Sequence, residues 1–125
     1  MLDNITLKNY YAMARNWMPE LIRNFDKVLG MTENEAIVLV HLYRNKGSYV
    51  NRIVSLLTLK QSTASAILWR FSNQKVVFSQ DSPISGNKIY KLTDKPLAKA
   101  YLSAAFILCI CKQLKEGVDE NGLFT

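Results

Sequence analysis

The sequence predicts a mainly α-helical fold carrying one small β-hairpin, an α+β domain. Two observations predict it. Apolar residues recur at helical spacing over most of the chain. Two β-prone runs, separated by turn chemistry, occur only once, between residues 76 and 92. The excess positive charge is confined to the same central region. Residues 44–95 hold nine basic side chains (Arg44, Lys46, Arg52, Lys60, Arg70, Lys75, Lys88, Lys91, Lys95) against Asp81 and Asp94, a net +7, and the rest of the chain carries −1. With 125 residues, 49% of them hydrophobic, the chain suits one domain with a true core. A basic field gathered in one segment is what a polyanionic partner requires, because neutralising phosphates releases counterions.

Taken in order, Leu7, Tyr11, Ala14, Met18, Leu21, Phe25 and Val28 form a heptad-like seam over residues 5–29, widened by Tyr10, Trp17, Ile22 and Leu29. Such a stripe needs a partner surface, from its own domain or from another subunit. Pro19 either kinks this helix or splits it near Met18, and Gly30 suits its end. Thr32 and Glu35 fit a capping box for a buried helix that Asn45-Lys46-Gly47 stops. His41 lies on it with no second ligand at metal spacing, so a structural or exposed histidine is expected.

Residues 49–57 read as a short helix with Asn51 available as N-cap, and Thr58-Leu59-Lys60 leads into another helix over residues 61–72. That second helix gathers Ala64, Ile67, Leu68 and Phe71 on one side and Gln61, Ser62, Ser65, Trp69 and Ser72 on the other. Two short helices joined this tightly form a helix-turn-helix. Small hydroxyl and amide side chains make a poor core face, but they can hydrogen-bond phosphates and base edges. Trp69 has two readings, packed against the following hairpin or exposed near a sugar-phosphate backbone.

The strands 76–80 and 88–92 flank Asp81-Ser82-Pro83-Ile84-Ser85-Gly86-Asn87, which makes the hairpin a wing. Thr93 or Asp94 caps a last helix over residues 96–116, apolar nearly all round, and residues 117–125 read as a tail. The apolar run at residues 100–111 is short for a bilayer span and reads as a buried helix, so no membrane partner is expected. Cys109 and Cys111 point about 200° apart on a helix and cannot bridge each other. No secretory signal is evident, so a cytoplasmic protein with reduced thiols is expected. No phosphate loop, nucleophile elbow or zinc spacing is present in the sequence, so no catalytic, metal or cofactor site is expected and the chain does not read as an enzyme.

The segment "MTENEAIVLVHLY", then "YVNRIVSLLTLKQSTASAILWRFSNQKVV", then "KIYKLTD" resembles the winged helix-turn-helix of the multiple-antibiotic-resistance regulator (MarR) family. The sequence departs from that family at Lys75, where glycine is frequent, and in the wing, where Ser85-Gly86-Asn87-Lys88 stands in place of an Asp-x-Arg element. The resemblance implies a single domain made of an N-terminal dimerisation helix (5–29), a winged helix-turn-helix (31–95) and a C-terminal dimerisation helix (96–116). It also implies a homodimeric transcription regulator of double-stranded DNA and, in many relatives, a small-molecule effector bound between the dimer and DNA-binding regions. Candidate DNA contacts are then Lys60, Gln61, Ser62, Thr63, Ser65, Arg70, Asn87 and Lys88, with Arg52 a further phosphate candidate. Candidate dimer contacts are Leu7, Tyr11, Ala14, Met18, Leu21, Leu97, Tyr101 and Leu108. Two other readings share parts of this pattern: a winged helix serving protein assembly, and a binder of structured RNA.

Overall fold

The computed structural model describes residues 4–84 and 86–121. Proline decides the first break. A helix running on through Pro19 would set the ring against the Arg15 carbonyl. The chain instead ends α1 (Asn4–Asn16) and restarts as α2 (Met18–Arg23), with Pro19 in the first turn, where no amide hydrogen is needed. A second break follows at Asn24, whose backbone N–H and side-chain Nδ2 both bond the Glu20 carbonyl. The short α3 (Phe25–Val28) completes the region, and Gly30 follows it at φ 89°. Pro19 therefore splits the predicted helix, and Asn24 divides it again.

The capping box forms as expected at the start of α4 (Glu33–Asn45): Glu35 N–H donates to Thr32 Oγ1, and Thr32 N–H donates to Glu35 Oε1. The helix ends on Lys46 in the left-handed region, followed by Gly47 at φ 116°. A Cβ on Gly47 would lie 2.8 Å from Lys91 Cγ, so both conformation and close approach require glycine there. Next comes α5 (Val50–Leu57), capped in position by Tyr49 and not by Asn51, which lies inside the helix. Thr58 at φ 54° turns the chain into α6 (Gln61–Asn73).

Strands β1 (Val77–Asp81) and β2 (Lys88–Leu92) pair antiparallel from Val77–Leu92 to Asp81–Lys88. Ser48 adds a bridge to Tyr90, giving the hairpin a third edge contact. Lys75, at φ 60°, occupies the left-handed position after α6, where the resemblance leads one to expect glycine. Its carbonyl accepts from Thr93 Oγ1 at 2.7 Å, which spends one of the two side chains, Thr93 and Asp94, expected to cap the last helix; Asp94 pairs with Lys99 at 3.6 Å. That helix, α7 (Pro96–Asn121), opens instead with Lys99 N–H bonding the Lys95 carbonyl. It continues through Gly117, where a tail was expected; one glycine costs only about 1 kcal/mol and no proline follows. Residues 122–125 of the expected tail lie outside the described residues.

The core sits around α7. Ala98, Ala100, Tyr101, Ala105 and Phe106 are buried against α1, α2 and α4. Ser103 Oγ donates to the Ala14 carbonyl at 2.7 Å, and Tyr101 Oη donates to the Lys27 carbonyl at 2.8 Å. Over Pro96–Lys115, α7 is long and apolar enough to cross a bilayer by length and composition, so the shorter apolar run understated it; in the fold 44% of its most apolar window is buried. Edge-on aromatic contacts run from Trp17 to Tyr43, Phe106 and Tyr10, and Phe71 of α6 meets Tyr101 of α7 at 5.2 Å.

Candidate nucleic-acid interface

The inner face of α6 is fixed first. Ala64, Ile67, Leu68 and Phe71 are all buried, so the helix cannot roll without exposing its apolar side. Arg70 adds a polar clamp, pairing with Glu35 Oε2 of α4 while its guanidinium carbon lies 5.7 Å from the Phe71 ring. The Glu35 side chain is only 6% exposed, so this carboxylate caps α4 with one oxygen and holds α6 with the other. Arg70 was expected to meet phosphate; the structure spends it on Glu35.

With that side pinned, Gln61, Ser62, Ser65 and Ala66 are presented outward and exposed, with Thr63 half-buried beside them. Lys60 is the N-cap residue at φ −70° and ψ 146°, and no side chain caps this terminus. Amide hydrogens of the first turn point away from the helix without intrahelical acceptors, and the first turn itself carries no acidic residue. The helix start thus has positive character, reinforced by Lys60. Trp69 is 70% exposed, which contradicts packing against the hairpin and leaves the exposed reading. Asn87 and Lys88, exposed at the hairpin, come together with Gln61 around one groove, whose other walls are Tyr49, Val50, Asn51 and Tyr90. Tyr49 and Val50 were not among the expected site residues; their place at the start of α5, as its N-cap and first residue, is the signal for them. Arg52 lies exposed in an adjoining shallow groove of α5 with Ser55 and Leu56, which shares Tyr49 and Asn51 with the first.

The expected dimer residues divide. Ala14, Leu21 and Tyr101 are 3%, 7% and 0% exposed, filling this chain's own core, and so are removed from any partner surface. Leu7, Met18, Leu97 and Leu108 are half-buried, and Tyr11 is 59% exposed. Ile22, Phe25 and Leu29 are also exposed, so α1–α3 retain an apolar outer face.

Behind the interface lies a cavity of about 300 Å³, walled by Tyr10, Val40, His41, Arg44, Leu57, Cys109 and Lys112 among others. Arg44 Nη1 donates to Tyr10 Oη at 3.1 Å. Burial pushes the Cys109 thiol up to about 11 despite nearby Lys112, so little reactive thiolate forms. His41 is held below its usual 6.5 by burial first, then by the positive fields of Arg52 and Arg44.

The arrangement of α5, α6 and the hairpin, with α1 and α7 packed together behind them, has counterparts among solved structures. The fold is that of the MarR regulators. Apo MarR from E. coli superposes with a TM-score of 0.60 at 15% identity, over 97% of this chain and 86% of that one. BpsR of Bordetella bronchiseptica, whose DNA binding is regulated by 6-hydroxynicotinic acid, gives 0.56 at 16% identity over 79% of this chain and 74% of its own. ZitR of Lactococcus lactis, solved in complex with DNA, gives 0.52 at 16% identity over 74% of this chain; the chain spans 63% of ZitR's length. No protein-family model and no curated protein sequence matches the chain.

Proposed function

We propose that this chain is a homodimeric transcription regulator that reads double-stranded DNA with α6 in the major groove and the β1–β2 wing beside the backbone or minor groove. One observation carries the reading: the outward face of α6 is mostly small polar residues near the open end of a helix whose other face is pinned by core and by Arg70. Gln61, Ser62 and Ser65 are the base-edge readers, with Thr63 and the small Ala66 allowing close approach. Lys60 and the first-turn amides hold a phosphate, and Asn87 with Lys88 holds the flanking strand. The exposed apolar residues Tyr11, Ile22, Phe25 and Leu29, with half-buried Leu7, Met18, Leu97 and Leu108, supply the dimer surface.

Lys60→Ala is expected to weaken binding equally on all duplexes and to lower the salt slope by about one. Gln61→Ala is expected to change the preference between duplexes enriched from a random pool and the pool itself. If both variants bind both duplex sets like the parent, α6 is not the reading helix.

A small-molecule effector fits the cavity behind this interface. Its size lies at the lower end of ligand pockets, and Arg44 and Lys112 line it beside apolar Ile37, Val40 and Leu57. A small aromatic carboxylate, the chemistry of BpsR's regulator, matches those walls.

A further inference from the structure

His41 is a wall of that cavity and also the start of a short hydrogen-bonded path to the wing. Asn45 Nδ2 lies 2.8 Å from the His41 carbonyl and 3.1 Å from His41 Nδ1. A carbonyl can only accept, so the amide N–H₂ must face this way, and Nδ1 therefore accepts too. The remaining ring nitrogen, Nε2, carries the hydrogen and donates to Ser48 Oγ at 3.0 Å. Ser48 in turn makes both backbone bonds of the bridge to β2: its N–H reaches the Tyr90 carbonyl at 3.0 Å, and the Tyr90 N–H reaches its carbonyl at 2.8 Å. Ser48 is 3% exposed and His41 8%, so water does not readily replace the bond between them, while Asn45 on the outer side is exposed.

We propose that His41 is a proton-operated latch between the cavity and the wing: a proton on Nδ1 sets N–H against the Asn45 N–H, turns the ring off Ser48, and loosens the Ser48–Tyr90 bridge that anchors the hairpin. This deepens the effector reading by naming how that site is regulated. The surroundings determine when the proton arrives. Arg44 on α4 and Arg52 on α5 oppose it directly. Lys112 with Cys109 on α7, and Tyr10 on α1, line the same cavity, and Lys91 on β2 runs beside Gly47. No carboxylate lines the cavity among the described residues. An anion lodged against Arg44 and Lys112 offsets the positive field and brings the proton with it; without one, the latch stays shut at neutral pH. The stability consequence has a definite sign. The unfolded chain takes up this proton near 6.5 and the folded chain at lower pH, so the contribution is complete above 6.5 and is lost as pH falls below it.

The test exploits the fact that His41 is the only histidine in the chain. The ring and the Ser48 and Tyr90 amides are followed by NMR from pH 7.5 to 5 in the full chain, alongside binding to duplexes enriched from a random pool. Both amides are expected to shift with the His41 midpoint, below 6.5, and DNA affinity to fall by at least about fivefold over that transition. Simple charge addition would strengthen DNA binding instead. His41→Gln keeps a donor for Ser48 and gains no proton, so both responses should vanish. Ser48→Ala should leave His41 titrating while Tyr90 no longer follows. Amides indifferent to the His41 titration overturn the latch. A chain that binds no duplex at any pH overturns the DNA reading alone, because the amides still decide the latch.

Discussion

Leu21 and Ile22 are chain neighbours in α2, yet Leu21 is 7% exposed and Ile22 is 68% exposed. In α6 the division between buried and presented residues is chemical as well as geometric. Its inner face is Ala64, Ile67, Leu68 and Phe71, and its outer face is mostly polar. The contrast teaches where a sequence pattern carries information. Polar against apolar separates core from interface when the partner is a polyanion. When the partner is another apolar surface, both faces look alike, and only the fold tells them apart.

Breaking the inner half of the terminal region should have the largest effect. Leu21→Ala is expected to lower stability by about 3 kcal/mol, from lost burial and the cavity left behind, read by chemical denaturation. Ile22→Lys should convert the dimer to a monomer in light scattering at micromolar concentration and lower the midpoint only by the association free energy it removes. A monomeric parent, or a dimeric Ile22→Lys, would remove the apolar outer face of α1–α3 from the dimer account.

The central region is tested by Arg70→Ala. Removing one member of a buried pair costs roughly 3–5 kcal/mol, and the 43% exposed Arg70 side chain brings the expectation down to about 2 kcal/mol. The loss should appear in the denaturation midpoint, with the salt slope of DNA binding unchanged. An unaltered midpoint with a shallower salt slope would return Arg70 to the phosphate-contacting role expected of it from sequence.

What the sequence made legible was local. The capping box of Thr32 and Glu35, an interruption at Pro19 (though not whether it kinks or splits), the hairpin strands and the four buried residues of α6 each depend on neighbours a few positions away, where spacing and propensity operate. What it hid was long-range or shared. Glu35 meets Arg70 across 35 positions, so neither side chain alone reveals that the arginine is committed. His41 read as a solitary histidine because Ser48 and Asn45 are ordinary hydroxyl and amide residues with no ligand signature. Ala14 and Leu21 satisfied a heptad seam, yet the partner of that seam is mainly α7 of the same chain, where Tyr101 is itself buried. Asn51 offered the right chemistry for an N-cap and lost the position to Tyr49, because the turn after Gly47 starts α5 two residues earlier than the cap pattern implied.

The charge that singled out residues 44–95 also provides the most direct test of what the protein binds. Affinity for random duplex DNA and for double-stranded RNA of equal length should be measured across a salt series on the full chain. DNA binding should exceed RNA binding and fall steeply as salt rises, each neutralised phosphate adding about 0.9 to the slope. No binding to either at low salt would contradict the DNA reading in favour of a protein-assembly module, and a preference for RNA would contradict it in favour of a structured-RNA binder.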